Sequence, residues 1–226
     1  MSNTVNGLTS DQIATEVALD LADGSCVNLG IGMPGRVASF VPAGREVIIH
    51  TENGALGAGP RPPAGEEDWD LIDAGKNPMT LRAGGSFVSH FDSFAMIRGG
   101  HIDVSVIGAY QVSATGDLAN WTDGEGIPGV GGAMDLAHGA KQVFVMMRHI
   151  TKDGRPKLVT ECSLPLTGRT VVTRVFTELG IFAPGPDGFT VIGLTRGIDP
   201  AVVRSLTDAP LRFPDRPTWL PRSSSQ

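Results

Sequence analysis

The stretch His50-Thr51-Glu52-Asn53-Gly54-Ala55-Leu56-Gly57-Ala58-Gly59-Pro60 decides how the rest of the chain is read. A β-branched run, Val47-Ile48-Ile49, precedes it and reads as a buried strand that stops at this segment. One carboxylate follows, then an Asn-Gly pair, two further glycines and a proline. Asn53-Gly54 tolerates positive φ, so the chain can turn sharply just past Glu52. Gly57 and Gly59 carry no Cβ and admit backbone or ligand at close range. In an open α/β sheet, ligands collect in the crevice beyond the carboxyl ends of the strands. A lone acid held there by a glycine-rich turn fits a nucleophile. The same spacing fits a turn whose acid caps the next helix equally well.

Upstream, Ile13, Val17 and Leu21 recur every fourth residue, and Thr9 with Gln12 fits a capping box, which predicts a helix from Thr9 to Ala22. Cys26-Val27-Asn28-Leu29-Gly30 reads as a short buried strand, and Pro34 can open a second helix through Phe40. The intervening Gly30-Ile31-Gly32-Met33 turn can seat an anion on exposed N–H groups, or simply pack helix on strand. It is neither the dinucleotide fingerprint nor a P-loop. Asn28, polar inside an apolar strand, must find a partner or cost roughly 1–3 kcal/mol.

Downstream, Pro60 to Asp68 reads as a solvated acidic loop, and Leu71–Lys76 and Met79–Leu81 as short edge strands. Ser89 to Gly99 predicts a helix, Ile102 to Ala109 a strand, and Gln142 to Met147 another. His101 reads as a structural hydrogen-bonding residue. The glycine cluster from Gly124 to Gly132 feeds a helix start at Ala133, where amides could stabilise an oxyanion. Leu158 to Cys162 reads as a further strand. Val171–Phe176 and Phe189–Leu194 read as strands lying beside each other, and Pro200 as the start of a last helix. Residues 1–206 form one α/β domain with an open, mostly parallel sheet. The Pro- and Ser-rich segment 207–226 is expected to be an extended or disordered tail.

At 226 residues the chain can bury a sizeable core. A net charge of −6 without a basic stripe argues against nucleic acid as a partner. No apolar run is long enough to cross a membrane, and no leader is seen at the N-terminus. Cys26 and Cys162 stand outside any metal-ligand spacing and read as two buried thiols in a reducing cytoplasm rather than a disulfide.

Several motifs occur in one order along the chain. They are Val27-Asn28-Leu29-Gly30-Ile31-Gly32-Met33-Pro34, Glu52-Asn53-Gly54 with Gly57-Ala58-Gly59-Pro60, and Ser93-Phe94-Ala95-Met96-Ile97-Arg98-Gly99-Gly100-His101. Gly116-Asp117-Leu118-Ala119-Asn120-Trp121, Gly131-Gly132-Ala133-Met134-Asp135-Leu136 and Leu164-Pro165-Leu166-Thr167-Gly168 complete the set. In these the chain resembles the β subunit of family I coenzyme A transferases, those acting on 3-oxoacids and 3-oxoadipate, from Leu8 to about Leu206. The resemblance implies a sugar-phosphate isomerase-like α/β fold with helices on both sheet faces. It also implies a ping-pong exchange of coenzyme A between carboxylic acids, with Glu52 as the nucleophile. Asn28 and the backbone of Gly132 and Ala133 would hold the oxyanion and orient Glu52. Gly30, Gly32, Asn53, Gly54, Gly57 and Gly59 are candidates for contact with substrate or coenzyme A. No metal or redox cofactor is implied, since coenzyme A is itself a substrate.

The family works with two homologous halves. This chain starts at the first helix of the second half, so a separate α subunit, in an α2β2 assembly, is expected. Gln142 to His149 with Thr151-Lys152-Asp153-Gly154 looks most like the 3-oxoadipate branch with succinyl-CoA as donor. Enzymes acting on acetoacetate share most of the other motifs. Arg82 or Arg98 could meet a second substrate carboxylate, though structural ion pairs are the simpler role for both. An acyl-CoA hydrolase and a non-catalytic ligand sensor of the same fold are the competing readings.

Overall fold

Thr9 opens the first helix as its spacing predicts. The computed structural model of the protein describes residues 7–124, 126 and 129–222, and in it helix α1 spans Ser10–Asp20. The Thr9 hydroxyl accepts from the Gln12 N–H, and the Gln12 side chain accepts from the Thr9 N–H, a complete capping box. Strand β1 (Ser25–Leu29) leads into a 3-10 helix at Pro34–Phe40 with proline in its first turn. The order continues with β2 (Val47–Thr51), β3 (Ala55–Ala58), β4 (Leu81–Phe87), α2 (His90–Arg98), β5 (Val104–Ile107), β6 (Gln111–Ser113) and β7 (Leu118–Ala119). Then come α3 (Ala133–Gly139), β8 (Gln142–Met146), β9 (Leu158–Val159), β10 (Val172–Phe176) and β11 (Gly180–Ala183). The last elements are β12 (Phe189–Thr195), α4 (Pro200–Ser205), β13 (Leu211–Arg212) and β14 (Thr218–Leu220).

The main sheet has 11 strands in the order β13-β12-β11-β10-β8-β5-β1-β2-β3-β4, with β14 also on β12. Its centre, β10-β8-β5-β1-β2, is parallel throughout. Strands β3 and β4 on one flank and β11 and β12 on the other are antiparallel. A smaller sheet, β7-β6-β9, stands apart. Both faces of the centre are covered, as parallel sheets require. On one face Val27, Val106 and Phe144 pack with Ile13 and Val17 of α1. On the other, Ile97 of α2 and Leu136 of α3 close over Cys26. This is the open, mostly parallel α/β architecture with helices on both faces that the sequence implies.

The flanks depart from expectation. Residues 71–76 form no strand and make a single bridge, Ile72 to Pro78. The strand lies later, at β4, whose glycines hide it from composition. It is held by pairing with β3, and a Cβ on Gly57 would stand 3.0 Å from Gly85 Cα. Val171–Phe176 and Phe189–Leu194 are not neighbours either. The four-residue β11 lies between them, antiparallel to both.

The segment expected to trail away after residue 206 is extended, but it is part of the sheet. Strands β13 and β14 pair with β12, and Leu220 is fully buried. Prolines end helices but are tolerated along paired edges, so a proline-rich end can still dock. Arg222 then binds α1: its Nε lies 2.5 Å from Glu16 Oε2 and its Nη1 2.7 Å from Asp20 Oδ1. The closing Ser223-Ser224-Ser225-Gln226 lies outside the described residues, as do Glu125, Ile127 and Pro128 of the glycine cluster. Among the described residues no helix is long and apolar enough to cross a membrane.

Candidate active site

Strands β2, β1 and β5 run side by side, and the register sets His50, Asn28 and Ser105 in one row across them. Paired residues in a parallel ladder point to the same face, so three polar side chains share one patch of an otherwise apolar sheet. Asn28 Nδ2 lies 3.1 Å from His50 Nδ1 and 3.4 Å from the His50 carbonyl oxygen. A carbonyl only accepts, so the amide nitrogen must be the atom facing His50, and His50 Nδ1 is then an acceptor. At the far edge of the ring, Nε2 lies 2.9 Å from Ser93 Oγ of α2. Ser93 in turn donates to the Glu52 carbonyl at 2.8 Å. Asn28, His50 and Ser93 are all buried, and burial pushes the His50 imidazole down to about 4, so it is neutral at physiological pH.

Glu52 follows directly on β2. Its carboxyl is half-buried, and burial raises its pKa above the usual carboxylate range. His90 nearby opposes that rise and Asp135 adds to it. Facing it is Gly132 at the start of α3. A Cβ there would stand 2.9 Å from Glu52 Oε2 and 2.9 Å from Phe94 Cζ, so only glycine fits without moving one of them. Asn28, Gly30, Glu52, Gly132 and Ala133 line one cleft of about 500 Å³, together with Tyr110 and Asn120. A second cleft of about 500 Å³ adjoins it through Gly30, Ile31 and Ala74, and its lining includes Gly32 and Gly59. Neither Arg82 nor Arg98 lines either cleft, and Arg98 is paired with Asp135 at 2.7 Å.

Three sequence candidates fall outside both clefts. Asn53 donates from Nδ2 to the Ile72 carbonyl at 2.8 Å and so pins the following loop. Gly54 makes the turn between β2 and β3 at φ 119, where a Cβ would lie 2.3 Å from the Val88 carbonyl oxygen. Gly57 serves the close approach of β3 to β4. All three shape the hairpin that carries Glu52. Asn28 Nδ2 is turned toward His50, with His50 Nδ1 at 3.1 Å and the His50 carbonyl at 3.4 Å, while the residue also lines the cleft. This geometry fits orientation. Ala133 N–H is drawn to the Val130 carbonyl at 3.3 Å. Gly132 N–H has no hydrogen bond among the described residues, which makes it the better-placed donor of the pair.

Sequence reasoning missed His50, Ser93, Tyr110 and Asn120. The one available signal was Asn28, whose buried amide demanded a partner; naming that partner needed the strand register. Asn120 Oδ1 accepts from Thr167 Oγ1 at 2.6 Å, which fixes the amide and leaves Nδ2 for the cleft. Among the described residues no group of three or more His, Cys, Asp or Glu could hold a metal ion.

The buried histidines make acid stability testable. His149, between Thr177 Oγ1 at 3.1 Å and Thr207 Oγ1 at 2.9 Å, is also pushed down to about 4 by burial. A histidine with a lowered folded pKa is protonated first in the unfolded chain, so stability is complete above about pH 6.5 and falls as pH drops toward 4. The loss approaches roughly 3 kcal/mol per histidine at the lower end. The raised Glu52 works the other way and offsets part of it. Urea unfolding from pH 7 to 4.5 should show a falling midpoint with constant slope; a level midpoint would contradict neutral burial of both rings.

A carboxylate at the C-terminal end of a central parallel strand, closed in by a helix-start glycine, defines an α/β protein built for acyl chemistry in a strand-end crevice. The chain belongs to the coenzyme A transferase family, whose model matches residues 10–191. It is 53% identical over 206 residues to the 3-oxoadipate CoA-transferase B subunit of Acinetobacter baylyi, covering 90% of this chain and 95% of that one. To the succinyl-CoA:3-ketoacid coenzyme A transferase B subunit of Helicobacter pylori it is 46% identical over 200 residues, covering 88% and 96%. The apoenzyme of the acyl-CoA transferase YdiF from Escherichia coli O157:H7 shares the fold, with a TM-score of 0.74 at 17% identity. That match takes in 94% of this chain but 43% of the longer YdiF chain.

Proposed function

We propose that this chain is the β subunit of an enzyme that moves coenzyme A from succinyl-CoA to a 3-oxoacid, 3-oxoadipate or acetoacetate, through a thioester on Glu52. The observation that carries this reading is the fit of Gly132 against the Glu52 carboxylate inside the cleft. A Glu52 oxygen attacks the thioester carbonyl, the C–S bond breaks, and the coenzyme A thiolate leaves a mixed anhydride. The thiolate then attacks Glu52 Cδ and expels the first acid as its carboxylate, leaving glutamyl-CoA. The second acid reverses both steps and departs as its own thioester. A carboxylate is a weak nucleophile, but its acyl adducts stay activated, so the thioester energy is conserved provided water is kept out. Half-burial of Glu52 favours that exclusion. Gly132 N–H is the donor suited to the oxyanion, and Asn120 Nδ2 to an oxygen of the incoming acid.

Among the described residues the cleft that holds Glu52 is lined by no arginine or lysine, while Arg36 and Arg61 line the adjoining one. A second carboxylate, as in 3-oxoadipate, can be met from that side or by a cation of a separate α subunit, which an α2β2 assembly would bring to each cleft. The reaction uses no metal or redox cofactor. Cys26 and Cys162 are free thiols that burial raises to about 11, which suits a reducing cytoplasm and no catalytic part.

Succinyl-CoA added to the chain co-expressed with its α subunit should leave a coenzyme A-sized mass on the peptide containing Glu52. A 3-oxoacid should remove it, and the faster acid names the branch. A folded complex that never acquires the adduct would overturn the covalent mechanism. Gly132→Ala should slow adduct formation about 10²-fold, the effect of displacing a reacting group by about 1 Å, with little change in Tm. A rate within threefold of the parent would show that the carboxylate need not stand where it does.

A further inference from the structure

The row of buried polar groups behind Glu52 forms one directed chain of hydrogen bonds. Ser93 has a single hydroxyl proton and gives it to the Glu52 carbonyl at 2.8 Å. Its oxygen must then accept from His50 Nε2 at 2.9 Å, which places the ring proton on Nε2. Independently, the Asn28 amide, oriented by the His50 carbonyl, donates to His50 Nδ1 at 3.1 Å and requires that nitrogen to be bare. The two ends of the chain demand the same tautomer. No other residue type at position 50 offers a bare acceptor and a donor on opposite sides of one rigid ring. His50 and Ser93 are 0% exposed; neither lines the cleft that holds Glu52, and His50 stands in the wall of the adjoining one with no exposed surface.

We propose that His50 is a positioning residue, a fixed spacer between Asn28 and Ser93 that sets where the Glu52 backbone, and with it the carboxylate, stands in the cleft. The linkage ties the ends of β1 and β2, already paired as parallel strands, to α2 on the face above them. It acts on Glu52 through the main chain, so it determines the distance from the carboxylate to Gly132 without touching substrate. The inference rests on the reading of Glu52 as the nucleophile for its kinetic consequence, but not for its geometry.

The test uses the complex of this chain with its α subunit, in parental form and in three single variants. His50→Leu removes both ring bonds, Ser93→Ala cuts the bond to Glu52, and His50→Gln keeps a donor and an acceptor at similar reach. Single-turnover formation of the Glu52 adduct should slow 10- to 100-fold in His50→Leu and Ser93→Ala, with KM for succinyl-CoA changed less than threefold. His50→Gln should recover most of the rate, and combining His50→Leu with Ser93→Ala should be no slower than the slower single change. A second readout needs no transferase activity: labelling of Glu52 with a water-soluble carbodiimide and glycinamide across pH, followed by peptide mass. Its midpoint should move in His50→Leu and Ser93→Ala and return in His50→Gln. If the parent complex forms no adduct, the function proposed above fails while the labelling still decides the role of His50. Variants that lower Tm yet leave both the adduct rate and the labelling midpoint unchanged would overturn the proposal, as would rate losses that multiply in the double variant.

Discussion

Glu52→Gln should abolish transfer, lowering kcat by at least about 10⁴-fold, while the complex still folds and still binds succinyl-CoA. The size follows from the loss of the attacking atom itself, since among the described residues no other carboxylate lines the cleft. The amide nearly matches the carboxylate in shape, so the contact with Gly132 is kept. It also carries no charge. The carboxyl is raised above its usual range by burial, so the folded state holds the ionised form less well than water does. Removing that charge should leave Tm unchanged or higher at neutral pH. Activity lost with Tm held or raised is the signature of a group placed for chemistry at a cost to stability. The parent enzyme should lose kcat/KM on acidification at a higher pH than an ordinary glutamate would dictate, because the nucleophile is the deprotonated form. A Glu52→Gln complex retaining a tenth of parental activity would remove Glu52 from the mechanism.

The second large effect concerns stability alone. Arg222→Ala should lower unfolding free energy by about 3 kcal/mol, or roughly 6–12 °C in Tm for a chain of this size. Glu16 is 1% exposed, and its carboxylate accepts from the Arg222 backbone at 2.6 Å and from its guanidinium at 2.5 Å. Without Arg222 that charge stays buried with no counter-charge. The loss sits at the low end of the range for buried pairs because Asp20 keeps its bond to Arg174, and Arg222 itself is 29% exposed. Glu16→Leu combined with Arg222→Leu should recover much of the loss, since two apolar groups of similar volume need no pairing. Scanning calorimetry of the single and double variants checks this. The active cleft is lined by none of these residues, so the folded fraction should transfer coenzyme A at the parental rate.

How much of this was legible in the sequence varied from element to element. The capping box at Thr9 and Gln12, the apolar runs of β1, β2, β5 and β8, and the proline at the start of α4 are local signals. Each is read from a few neighbouring residues, and each was found where it was expected. Strand β4 was not, because Leu81-Arg82-Ala83-Gly84-Gly85-Ser86-Phe87 has no strand propensity of its own and exists through its pairing with β3. The docking of the chain end failed for a related reason. Its prolines speak against a helix but say nothing about an edge strand, or about Arg222 reaching back to an acid on the first helix.

The site divides in the same way. By itself the sequence determined the α/β class, the strand-end position of Glu52 and, through the order of its motifs, the family to which the chain belongs. Those follow from periodicity, turn chemistry and residue identity, all of which act over short spans. Only the tertiary structure showed that a side chain at position 132 would meet the Glu52 carboxylate and the Phe94 ring. It alone showed Asn28 reaching His50, and Asn53, Gly54 and Gly57 shaping a hairpin. Hydrogen-bond direction and steric exclusion depend on which atoms meet across distant segments, and strand register, not sequence spacing, sets those meetings.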